Sequence, residues 1–204
     1  MEGLKLAANY SWNCNIAQKA KICGKLLGFI NNGEKPLLAE KILKALLPHK
    51  VYLLIAKANG IADEFSPDVV SFYWRGWPLT ITPPQSDIPF FHNHAVFATA
   101  FKMPLEKINL EDLNKCLVHI GKIKHIGKNY FTVETRPIIR TKNRLKFGKE
   151  EEIDIMNYLR LSAKINDYAA FHFTNAAEII SPAETERLNE VTKHILQNFN
   201  TRLK

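Results

Sequence analysis

The sequence predicts an α+β chain: a helical N-terminal domain, a small antiparallel β-barrel and a closing C-terminal helix. Three observations predict it. Apolar residues recur at helical spacing through residues 4 to 62. From Cys116 the apolar period changes to two. At Ser181-Pro182-Ala183-Glu184 a capping box introduces a further run with one apolar stripe.

The chain has 204 residues, which suits one domain or two small ones. Hydrophobic residues make up 46% of it, enough for a packed core and against wholesale disorder. No apolar run is long enough to span a bilayer. The opening M-E-G-L-K-L-A-A-N-Y lacks the basic and apolar regions of a cleaved signal. Three cysteines without framework spacing suit a reducing compartment, so a cytoplasmic protein with free or ligating thiols is expected. The net charge is +8, divided as +4 in residues 1–108 and +4 in residues 109–204. Spread in this way, the charge fits a lysine-rich solvated surface, an acidic protein partner or nucleic acid.

In the N-terminal domain, Ile16, Ile22, Leu26, Leu27 and Ile30 mark a helix that Asn31-Asn32-Gly33 stops. A helix over Lys35 to Leu47 has Pro36 in its first turn and should end at Pro48. Val51 to Ala58 follows, stopped by Asn59-Gly60. Ser66-Pro67-Asp68 is a helix start with a capping hydroxyl, a proline and an acid at the positive end of the dipole. Its helix carries Phe72, Tyr73 and Trp74, which suit either a core or a partner anchor. Leu79 to Pro89 is proline-rich and reads as extended. Asn109 caps a short helix or turn, and the domain boundary is expected near residues 104–110, giving domains 1–108 and 109–204.

Strands are expected at Cys116 to His125, Tyr130 to Thr135, Glu152 to Met156 and, last, Tyr168 to Phe173. An added hairpin should span Ile138 to Phe147. Short strands in this number close into a small OB-like barrel, because closure removes exposed edges. Leu188, Val191, Ile195 and Leu196 face the core from the final helix.

Cys116, opening the first strand, and His172, in the last, could share a metal ion as thiolate and imidazole. His119 is a third candidate ligand. His92 and His94, two apart, would share a face on a strand but diverge by roughly 200° on a helix. Each of these residues also has an ordinary reading as a buried thiol or a hydrogen-bonded core histidine. Cys14 and Cys23 are too far apart for a usual zinc or redox pair.

Residues 116–198 resemble the small hydrogenase assembly chaperones of the HypC/HupF family. The resemblance is carried by Cys116-Leu117-Val118-His119-Ile120-Gly121-Lys122-Ile123 and by Asn166-Asp167-Tyr168-Ala169-Ala170-Phe171-His172, then Ala177-Glu178-Ile179-Ile180 and the helix from Pro182. It implies that Cys116 and His172 bind an iron carrying cyanide and carbonyl ligands. It also implies a hydrogenase maturation scaffold protein as donor and the large subunit of a nickel–iron hydrogenase as acceptor. The chain departs from the family pattern in three ways: Cys116 is internal, Ile120 replaces a proline, and the Ile138–Phe147 hairpin is added. The whole chain is also similar to an uncharacterised bacterial family associated with hydrogenase gene clusters, through V-V-S-F-Y-W-R-G-W-P-L, H-N-H-A-V-F and the barrel.

Two other classes match parts of the sequence. A small barrel with a net positive charge could bind single-stranded nucleic acid, but Lys122, Lys124 and Lys128 are not interleaved with stacking aromatics beyond Tyr130 and Phe131. An enzyme could use Cys116 as nucleophile with His119 or His172 as base, but no phosphate loop or metalloprotease motif accompanies them. The sequence therefore favours a non-catalytic accessory or chaperone-like protein.

Overall fold

The computed structural model describes residues 1–14, 17–18, 21–84, 89–100 and 102–202. Ile16, assigned to the first helical stripe, and residues 85–88 of the proline-rich connection lie outside them. The chain is α+β, with helices followed by a closed five-stranded barrel and a C-terminal helix. It divides into two compact units, Met1–His92 and Asn93–Lys204. The division falls ahead of the boundary expected near residues 104–110.

The first unit contains α1 (Glu2–Ser11), α2 (Cys23–Asn32), α3 (Pro36–Lys44), α4 (Leu47–Ala58) and α5 (Pro67–Arg75). Pro48 does not end a helix. It lies in the first turn of α4, where its missing N–H costs nothing, while α3 stops at Lys44. Ser66 caps α5 through the Val69 N–H, and Gly76 ends it in the left-handed conformation at φ 72°. Phe72, Tyr73 and Trp74 are all buried. Trp74 stacks on Tyr10 with ring centroids 4.8 Å apart, and its indole N–H donates to the Tyr52 hydroxyl at 2.7 Å. These aromatics form the core of the unit rather than an exposed anchor.

The second unit begins in α6 (His92–Ala100) and continues through α7 (Leu110–Cys116), β1 (His119–Ile126), β2 (Tyr130–Thr135), β3 (Ile138–Arg140), β4 (Leu145–Phe147), β5 (Glu151–Met156), β6 (Tyr168–His172), β7 (Asn175–Ile180) and α8 (Pro182–Arg202). Strands β1-β2-β5-β7-β6 close the barrel, with β3–β4 standing apart as a two-stranded hairpin. All its pairs are antiparallel except β5 with β7, which meet in parallel at Met156 and Asn175. With the hairpin set aside, this is the five-stranded Greek-key barrel of the OB type. Ile123, Phe131, Val133, Ile155, Ala169, Phe171 and Ala176 fill it.

Two expectations about the strands are corrected. Cys116 does not open β1: it is the last residue of α7, whose start is capped by the Asn109 side chain. Tyr168 to Phe173 is not the last strand either. The Ala177–Ile180 segment belongs to β7, which pairs with β6 across a turn made of Phe173 and Thr174.

Asparagine side chains repeat one device through the chain. Each presents its Oδ1 to one backbone N–H and its Nδ2 to the C=O of the same residue, imitating a neighbouring strand. Asn93 holds Val118 in this way, Asn114 holds Ile138, Asn200 holds Leu145 and Asn59 holds Thr82. Asn114 and Asn200 thus occupy both open edges of the β3–β4 hairpin, which otherwise would present unpaired backbone. Ile138 and Leu145, each 1% exposed, root the hairpin from inside.

Candidate functional site

The end of α7 and the β6–β7 turn come together at one point. A helix leaves its last carbonyls without intrahelical partners. Here the turn supplies two donors. The Phe173 N–H donates to the Lys115 carbonyl at 3.0 Å, and His172 Nε2 donates to the Cys116 carbonyl at 3.1 Å. Phe173 and Thr174 adopt φ of 52° and 55°, a left-handed conformation unfavourable for a bulky and a β-branched side chain. The Lys115 carbonyl, and the Thr174 carbonyl receiving the Met156 N–H at 2.9 Å, hold the turn there. His172 is therefore fixed against the residue Cys116, and is 4% exposed, while Cys116 is half-buried.

His119, opening β1, sits beside β6 in register with Phe171, and the two rings stack at 5.5 Å. Its Nε2 donates to the Asn114 carbonyl at 3.0 Å. Burial pushes the His119 imidazole down from 6.5 to about 4; the Asn114 hydrogen bond opposes this, and His172 adds to it. His119 and His172 both donate through Nε2, so the lone pair of each neutral ring is on Nδ1.

The structure thus brings Cys116, His119 and His172 into one neighbourhood. It does not bring in His92 and His94 as a pair. They lie on a helix, α6, and project from different sides of it. His92 contacts the Tyr73 hydroxyl at 3.3 Å and the Trp74 ring at 4.2 Å, whereas His94 is exposed. Among the described residues, no group of three or more His, Cys, Asp and Glu side chains is placed to hold a metal ion. Cys14 and Cys23 lie half-buried in the first unit and are not joined in a disulfide.

A cleft of about 680 Å³ opens beside this neighbourhood, between β1, β2 and the first turns of α8. Leu117, His119 and Ile120 form one wall, Phe147 from the hairpin another, and Leu188 and Lys193 a third. Ser181 caps α8 as expected, with its N–H on Glu184 at 2.8 Å. Sequence reasoning overlooked Asn93, which sits between the two histidines that drew notice. It clamps Val118 and donates to the Thr192 hydroxyl at 3.0 Å, so it fixes both the entry to β1 and the flank of α8.

His119 gives the site a pH dependence. It is neutral in the fold and titrates near 6.5 when unfolded, so the unfolded state binds the extra proton as pH falls. The stability it contributes is complete above 6.5 and is lost toward about 4. Lowering the pH from about 7 to about 5 should cost about 2 kcal/mol through this residue. His119→Gln, which keeps an N–H donor without the titration, should flatten that slope in urea unfolding. An unchanged slope would show that other groups carry it.

A helical unit followed by an OB-type barrel, with a thiol and an imidazole at one helix end, defines the class of fold. A family model described as a family of unknown function (DUF6390) matches residues 90–204, and the chain belongs to that family. No curated protein and no solved structure matches the chain. Among the described residues, no helix is long and apolar enough to cross a membrane.

Proposed function

We propose that the protein is an accessory, chaperone-like factor in nickel–iron hydrogenase maturation. It binds an iron carrying cyanide and carbonyl ligands, or the maturation partner that carries it, at the junction of α7 and the β6–β7 turn. The partner is the scaffold protein that supplies the iron or the hydrogenase large subunit that receives it. One observation carries the reading: the β6–β7 turn, with Phe173 and Thr174 left-handed, holds the His172 ring on the backbone carbonyl of Cys116, and these are the two residues singled out by the resemblance to the HypC/HupF chaperones. Iron is cargo in this reading. Two protein ligands suffice because thiolate and imidazole suit low-spin iron whose strong-field ligands fill most of the shell. A bare ion would need more donors than this neighbourhood converges.

The nucleic-acid alternative draws less support. The outer face of β2 and β5 presents Glu152 and Asp154, with Glu152 directly opposite Glu134, whose carboxylate Lys124 engages at 3.0 Å. Carboxylates there repel phosphates where an OB barrel would receive a strand.

The test is purification without oxygen from cells making the maturation proteins, with iron analysis and infrared detection of carbonyl and cyanide bands. Cys116→Ala and His172→Gln should each lower bound iron by at least about tenfold. Glutamine retains an N–H donor for the Cys116 carbonyl, so it separates ligation from capping of α7. Iron and bands unaltered in both variants would end the ligand assignment.

A further inference from the structure

The net charge of +8 is not evenly spread in space. Residues 136–149 hold Arg136, Arg140, Lys142, Arg144, Lys146 and Lys149 and no acid. Residues 191–204 hold Lys193, Arg202 and Lys204 and no acid. These two segments contain nine of the 28 Lys and Arg and none of the 20 Asp and Glu; the rest of the chain has 19 against 20, a net of −1. The fold joins them. Asn200 of α8 holds the N–H and the C=O of Leu145 in β4 at 2.9 and 2.8 Å.

Two of the hairpin's cations are used internally. Arg136 pairs with Glu150 at 2.6 Å, and Arg140 donates to the carbonyls of Leu105, Glu106 and Ile108. Lys142, Arg144, Lys146 and Lys149 are exposed, as is Lys193 on α8. Among the described residues, none of these five pairs with a carboxylate. Arg144 and Lys146 flank the buried Leu145, so they point to the same outer side of β4. The base of the hairpin lines the cleft through Arg136, Phe147 and Glu150, but Lys142, Arg144, Lys146 and Lys149 do not, and the cleft also carries Glu134, Glu186 and Glu190, so these four cations form a face outside it.

We infer that the outer face of the β3–β4 hairpin and the neighbouring face of α8 form a docking site for an acidic protein segment. Charge decides the class of partner. The basic run is followed at once by Glu150, Glu151, Glu152 and Asp154, all on or beside β5. A nucleic acid carries its charge on without interruption and would run onto these carboxylates. A protein segment can end its acidic stretch at the hairpin. An anchored, rigid hairpin also loses little freedom on binding. The inference names the kind of partner for the function proposed above, yet uses none of the iron-binding residues.

The probe is a fluorescein-labelled peptide, Glu-Asp-Glu-Leu-Phe-Glu-Asp-Glu, titrated with the full chain by fluorescence anisotropy. Lys142→Glu/Arg144→Glu/Lys146→Glu should weaken binding by at least about tenfold. Lys25→Glu/Lys41→Glu/Lys50→Glu makes the same charge change on exposed lysines of the first unit and should alter it by less than about threefold. Replacing the peptide's Glu and Asp by Gln and Asn should also weaken binding by at least about tenfold. Equal losses in the two triple variants, no binding at low salt, or tighter binding of an oligonucleotide of equal charge would each overturn the inference. Cys116→Ala and His172→Gln should bind the peptide normally, so failure of iron binding and failure of docking are read separately.

Discussion

Asn93→Ala should destabilise the barrel unit by about 4 kcal/mol, more than the loss of a typical core methyl group. The side chain is 2% exposed and makes three hydrogen bonds, two of them to the backbone of Val118, itself 3% exposed. Removing the amide leaves a buried N–H, a buried C=O and the Thr192 hydroxyl without that partner. Each such group costs about 1–3 kcal/mol when no water can replace the bond. Asn93→Asp tests the cause. It preserves volume and can still accept from the Val118 N–H, but it cannot donate to the Val118 carbonyl. A loss of about 3 kcal/mol is therefore expected from the aspartate as well. Were the aspartate variant as stable as the parent, the effect of alanine would be one of packing alone. Because Val118 precedes His119, amide exchange at the start of β1 should quicken in both variants before global unfolding does.

How much of this was legible in the sequence depended on whether the signal was local. Ser66, Gly76, Asn109 and Ser181 cap helices where their residue types say they should. The barrel is legible in period-two alternation, with the Ile138 to Phe147 hairpin expected as an addition to it. Cys116 was misplaced because Cys116-Leu117-Val118 looks like the apolar start of a strand, whereas α7 is a short helix that its capped start and its clamped end keep in place. β7 was missed because its turn lacks the expected glycine or asparagine: Phe173 and Thr174 take left-handed backbone only under tertiary constraint. The asparagine clamps have no sequence signature, since Asn93 and Val118 are 25 positions apart and Asn200 and Leu145 are 55 apart. The charge patch has no local signature, since its two segments meet only in the folded chain. The sequence pairs Cys116 and His172 as thiolate and imidazole; the contact in the fold is a His172 ring nitrogen on the helix-end carbonyl of Cys116, which no residue pattern announces.

Gly3→Ala should destabilise the helical unit by about 3 kcal/mol, against the sense of helix propensity. Alanine favours a helix over glycine by at most about 1 kcal/mol, and by less in a first turn. Gly3 lies in the first turn of α1, on a buried stripe with Leu4, Ala7, Ala8 and Ser11. A Cβ there would fall inside the Phe65 carbonyl and within 2.8 Å of the Pro67 nitrogen. Both are backbone atoms, and the Phe65 N–H is itself tied to the Asp63 carboxylate at 2.8 Å, so the loop leading into α5 cannot yield as a flexible side chain would. Steric overlap must then move α1 as a whole, which disturbs the stacking of Tyr10 on Trp74 at the far end of the same helix. Gly24→Ala supplies the comparison. It lies near the start of α2 with no atom within 4 Å of the added carbon, so propensity acts alone there. That variant should be as stable as the parent or more so by up to about 1 kcal/mol. Thermal unfolding of the two variants decides whether close backbone approach or intrinsic propensity governs the helical unit. If Gly3→Ala melted with or above Gly24→Ala, α1 would not be held against the α5 entry as described.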